Sequence, residues 1–144
     1  MNGLMLLLSL VAGFGVAVQA GINAALGKKV GTIEASLVSF AIGTLCLLLL
    51  VIFFGKGNLL AALSQPKWML LGGLLGAYYV LAMVLAVPKI GVASVLVAVI
   101  AGQIIASTVI DHFGLFGSRQ IPVDWRRLLG IALLAAALFL FYRK

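Results

Sequence analysis

Five runs of apolar residues, separated by short polar or glycine-containing breaks, make up almost the whole chain. They cover residues 4–26, 32–54, 68–87, 91–113 and 128–142. A helix of about 20 residues crosses a hydrocarbon core of ~30 Å, so the first four runs are long enough to span a bilayer. The fifth is short but extendable at both ends. Lys28, Lys29 and Gly31 mark a tight turn, and Gly55-Lys56-Gly57 ends the second run. Residues 58–67 are amphipathic, contain Pro66 and read as an interfacial connector, followed by Trp68 where an aromatic belt residue belongs. Pro88-Lys89-Ile90-Gly91 is a turn signal, and the connector 115–127 holds Pro122, Asp124, Trp125 and the adjacent Arg126 and Arg127. The pattern predicts an all-α, polytopic membrane protein: five transmembrane helices in a single transmembrane domain, 1–144, with sequence neighbours antiparallel. An odd number of spans puts the two termini on opposite faces.

Polar residues inside these runs are the informative exceptions. The run Gly91 to Gly114 carries Gln103 near its middle, then Ser107 and Asp111, with His112 beside the last. At i, i+4 and i+8, Gln103, Ser107 and Asp111 share one helical face. Lipid does not satisfy such a stripe, so it faces protein or a water-filled cavity. The first run holds Gln19 and Asn23, again four residues apart, among Gly13, Gly15 and Gly21, which let another backbone come close. The second begins with Glu34, Ser36 and Ser39, and a turn at Lys28-Lys29 sets Glu34 at the depth of Asn23. The third holds Gly72, Gly73 and Gly76, then Tyr78 and Tyr79. These side chains read two ways: amides and hydroxyls bonded across helices as packing glue, or the lining of a solute pathway. For Asp111 and His112 a solvated helix terminus competes with a proton relay.

Composition settles the class. The chain of 144 residues is 65% hydrophobic and 9% charged, with mean hydropathy +1.30. No soluble domain of this size hides that much apolar surface, so lipid is its main solvent. A net charge of +7 would suggest nucleic acid, but the ten Lys and Arg flank apolar runs, where they anchor helix ends at the membrane surface. No Lys or Arg precedes Leu4, and the first run is too long for a signal core, so it is expected to remain as a span. Cys46 is the sole cysteine and His112 the sole histidine, which excludes an intrachain disulfide and leaves no metal site or cofactor in prospect.

Charge also bears on orientation. Lys56, Lys67, Arg119, Arg126 and Arg127 fall on the face of the N-terminus; Lys28, Lys29, Lys89, Arg143 and Lys144 fall opposite. Orientation follows a Lys/Arg bias between faces, and here there is none. Either a few residues near the ends or a partner chain decide topology, or copies insert both ways and pair as an antiparallel, dual-topology homodimer. Such a dimer is an inverted repeat made of two molecules, the arrangement many secondary transporters use around a mid-membrane site.

The chain resembles the YdcZ-like inner-membrane exporters of the drug/metabolite transporter superfamily. The likeness rests on Val18-Gln19-Ala20-Gly21-Ile22-Asn23-Ala24-Ala25-Leu26-Gly27, on Ala35-Ser36-Leu37-Val38-Ser39-Phe40 with Gly43-Thr44, and on the glycines and Tyr79 of the third span. It continues from Ala101-Gly102-Gln103 through Asp111-His112-Phe113-Gly114-Leu115-Phe116. The resemblance implies a multi-pass protein of the bacterial cytoplasmic membrane. It implies similarity to the four-span small multidrug resistance exporters, which work as antiparallel dimers and carry a glutamate in the middle of their first helix. Here the corresponding region holds Gln19.

With no nucleophile–base pair, Walker loop or metal cluster in the sequence, an enzyme is not expected. The expected function is small-solute transport by alternating access, with Gln19, Asn23 and Gln103 lining the pathway and Ser36, Ser39, Tyr79 and Ser107 beside them. No carboxylate sits at mid-membrane, where a proton-coupled pump would usually place one; Glu34 or Asp111 would be the proton or cation partner if coupling exists. The alternative is a non-transporting assembly or regulatory subunit. Expected partners are the bilayer, a small-molecule substrate and a second copy, with no nucleic acid.

Overall fold

A computed structural model describes residues 2–142, Asn2 by its backbone alone. Met1 and two cations of the charge count, Arg143 and Lys144, lie outside the described residues. The architecture is all-helical: α1 (Asn2–Val30), α2 (Thr32–Phe54), α3 (Leu71–Ile90), α4 (Val92–Phe113) and α5 (Trp125–Tyr142). Short 3-10 helices at Leu59–Ser64 and Lys67–Leu70 precede α3, and a third at Leu115–Gly117 follows α4. Among the described residues, five helices are long and apolar enough to cross a membrane.

The helix ends refine the boundaries expected from the sequence. Lys28 and Lys29 belong to the last turn of α1, where cations favour the negative end of the helix dipole. The turn itself is the single residue Gly31, at φ 105° and ψ 152°, a region essentially closed to residues with a Cβ. Pro88 and Lys89 lie within the last turn of α3, and Gly91 (φ 83°, ψ 157°) takes the break alone. α5 starts at Trp125, because Asp124 caps it: the Arg127 backbone N–H donates to Asp124 Oδ1 at 2.9 Å. Its 18 residues rise about 27 Å, just under a hydrocarbon thickness.

The chain divides into two compact units, Met1–Lys89 and Ile90–Lys144. In the first, α1 and α2 form an antiparallel hairpin, and small residues let the helices close up. Ala35 of α2 is fully buried with Val80 and Val84 of α3, and Leu26 and Tyr79 pack against them. Gly27 is the tight point: a Cβ there would lie 2.5 Å from Val84 Cγ1 and 3.8 Å from the Ala35 Cβ. Gly13, Gly15, Gly21 and Gly72 have open space where a Cβ would be, and Gly76 faces Phe40 at 3.4 Å, so close approach falls at Gly27. Between helices in lipid, where there is no hydrophobic drive, such van der Waals fit is a principal source of cohesion.

In the second unit α4 packs on α5. α4 ends at Gly114 in the left-handed conformation (φ 62°, ψ 34°), and the following loop folds back over the helix end. The Ile121 N–H donates to the Asp111 carbonyl at 2.8 Å, and the Gln120 amide to the His112 carbonyl at 3.1 Å. These bonds satisfy carbonyls that a helix C-terminus leaves open.

Candidate functional site

Polar groups of the apolar helices gather in two places, one in each unit. In the first unit, Gln19, Ala20 and Asn23 of α1 line a crevice with Tyr79, Val80 and Met83 of α3. Its volume is about 10 Å³, room for a single water. Asn23 is buried, and its Nδ2 donates to Ser39 Oγ at 3.0 Å across the hairpin. Asn23 and Ser39 lie eight residues on either side of Gly31, about 12 Å in from the turn. Gln19, one turn further in, is exposed and has no hydrogen-bond partner among the described residues. Tyr79 is partly buried beside the crevice, whereas Tyr78 points outward.

Two expectations change here. The turn at Gly31, rather than at Lys28-Lys29, shifts the register of the hairpin. Ser39 is therefore level with Asn23, and Glu34 is level with Lys28 near the helix end. The Glu34 carboxylate curls back over Gly31, filling the space a side chain at position 31 would need. Ser36 is buried but turns to its own helix, its Oγ donating to the Thr32 carbonyl at 2.9 Å.

The second unit brings Ser107 and Asp111 together in a groove with Ile104 and Thr108 of α4 and Arg127, Gly130 and Leu134 of α5. Arg127 Nη1 donates to Asp111 Oδ2 at 3.1 Å, an ion pair with each side chain 31% exposed. Gln103 stands apart from this groove, exposed and without a hydrogen-bond partner among the described residues. His112 is tied into the loop, its Nδ1 accepting from the Val123 N–H at 3.2 Å. Arg127 is the residue that sequence reading passed over, as the end of a connector. The signal for it was Asp124 three residues earlier, a cap that begins α5 at Trp125 and sets Arg127 in its first turn.

Five apolar helices long enough to cross a bilayer, among the described residues, define a small multi-pass membrane protein. The chain belongs to the family described as putative inner membrane exporter, YdcZ, which matches residues 4–140. It is thus a multi-pass inner-membrane protein of an exporter family, a class of transporters rather than enzymes. No match is found among curated proteins or solved structures.

Proposed function

We propose that the chain transports a small polar solute by alternating access, as an antiparallel dimer of two oppositely inserted copies. The observation that carries the reading is the crevice of Gln19, Asn23 and Tyr79: an unpaired amide beside a paired one, opening at bilayer depth. Membrane interiors tolerate such groups where they meet water, protein or a solute. Gln19 is the principal solute contact on α1, with Asn23, Ser39 and Tyr79 shaping its surroundings. Gln103 and Ser107 are further pathway residues, and Ser36 supports the hairpin beside Asn23. Glu34 is the candidate proton or cation partner if transport is coupled; Asp111 would first have to part from Arg127. The even split of Lys and Arg between the two faces supports insertion in both directions.

Two measurements test this. Two C-terminal reporters, one active only in the cytoplasm and one only outside it, each expressed without any paralogue, should both give signal; activity of one reporter alone refutes the dual-topology dimer. In proteoliposomes, efflux from a panel of radiolabelled neutral polar solutes should include at least one that the wild type carries. Gln19→Leu and Gln103→Leu should each slow that solute. Unchanged flux in both variants removes these amides from the pathway.

One observation favours a second reading. Asn23 and Ser39 satisfy each other, as structural glue in a non-transporting assembly subunit would. That reading predicts no carrier-dependent flux for any solute of the panel.

A further inference from the structure

The groove of the second unit has a chemistry of its own. Its volume is about 350 Å³, and Gly130 contributes no side chain to it, with nothing within 4 Å of where a Cβ would stand. Ser107 and Thr108 both commit their hydroxyl protons to the Ile104 carbonyl, at 3.1 and 2.7 Å. What they offer elsewhere is therefore oxygen lone pairs. Asp111 engages Arg127 through Oδ2, leaving Oδ1 without a partner among the described residues. Arg127 has five N–H donors and spends one side-chain contact on Asp111. The α4 side is thus rich in acceptors, the α5 side rich in donors, and Ile104 and Leu134 supply apolar wall.

We propose that this groove binds a zwitterionic group, its ammonium on Asp111 and Ser107 and its phosphate or carboxylate on Arg127. The ion pair has no net charge, so a lone cation meets the repulsion of Arg127 and a lone anion that of Asp111. A group carrying both charges a few ångströms apart satisfies both sides and adds to the existing pair rather than breaking it. A soluble aminophosphate and the headgroup of phosphatidylethanolamine share this chemistry. The inference goes beyond transport and does not need it, because binding is measured without flux.

The test uses the purified full chain in uncharged maltoside micelles. With Trp68→Phe, Trp125 is the remaining tryptophan of the two, placed two residues before Arg127. Its fluorescence follows titration with phosphoethanolamine, ethanolamine and inorganic phosphate. In a parallel arm, native mass spectrometry counts retained phosphatidylethanolamine against phosphatidylglycerol. The zwitterion of at least one arm should bind at least tenfold more tightly than its singly charged counterparts. Binding in the first arm alone identifies a soluble ligand, and in the second alone a lipid headgroup. Asp111→Asn and Arg127→Gln should each weaken it tenfold or more. Gly130→Leu, which fills the groove and keeps both charges, should do the same and decides the matter if either charge variant fails to fold. Absence of saturable binding in both arms overturns the proposal. So does a singly charged counterpart binding as tightly as the zwitterion in every arm that shows binding, or Gly130→Leu binding like the wild type.

Discussion

Replacing Ser39 by alanine isolates the one bond that, among the described residues, crosses the α1–α2 hairpin between side chains. It removes the acceptor of Asn23 Nδ2, a 3.0 Å bond, from a side chain that is 6% exposed. An interhelical hydrogen bond in a membrane contributes about 0.6 kcal/mol on average and about 1.7 at most. A buried donor left unsatisfied costs about 1–3 kcal/mol. Ser39→Ala should therefore destabilise by about 1–2 kcal/mol, near the overlap of these ranges. Asn23→Ala adds a small cavity to the loss and should cost somewhat more. The double variant should fall short of the sum of the singles by about 0.6–1.7 kcal/mol, the coupling of the pair. Equilibrium unfolding in mixed micelles of maltoside and dodecyl sulfate measures all four corners of the cycle. Strict additivity would refute the claim that these two side chains hold the hairpin together, and with it the register set by Gly31.

Three other outcomes follow from the packing. Gly27→Ala brings a Cβ to 2.5 Å from Val84 Cγ1, and Val84 is 2% exposed, so overpacking of about 1–3 kcal/mol is expected. Adding Val84→Ala should recover part of that loss in the same unfolding assay; no recovery would show that the contact is not the cause. Gly31→Ala should destabilise by about 1–3 kcal/mol through its positive φ of 105°, and Glu34→Ala, which clears the overlying carboxylate, should leave most of the penalty in place. His112→Ala withdraws the acceptor of the Val123 N–H and should cost about 0.5–1.5 kcal/mol, read as faster amide exchange at Val123.

The number and kind of elements were legible in the sequence because lipid imposes one rule on every span: twenty or so apolar residues, helical, with polar groups kept for a reason. Where spans end was less legible. Lys28 and Lys29 look like loop residues by polarity, yet lysines at a helix C-terminus are favourable and their stems reach the interface. That misplacement carried through to the site, pairing Asn23 with Glu34 in depth when its partner is Ser39. The spacing of Gln19 and Asn23 did predict a shared face, and both line one crevice. For Gln103, Ser107 and Asp111 the same spacing was a weaker guide. Only the latter two share a groove, because its shape is set by the α5 residues Arg127, Gly130 and Leu134, which no periodicity within α4 encodes.

A reversal of direction accomplished by Gly31 alone leaves no loop at that end of the hairpin for a protease, antibody or glycan-transferring enzyme to seize. Epitopes or glycosylation sequons inserted there would have to break one of two helices to be seen. Orientation is therefore mapped at the longer connectors, residues 55–66 and 114–124, or at the C-terminus.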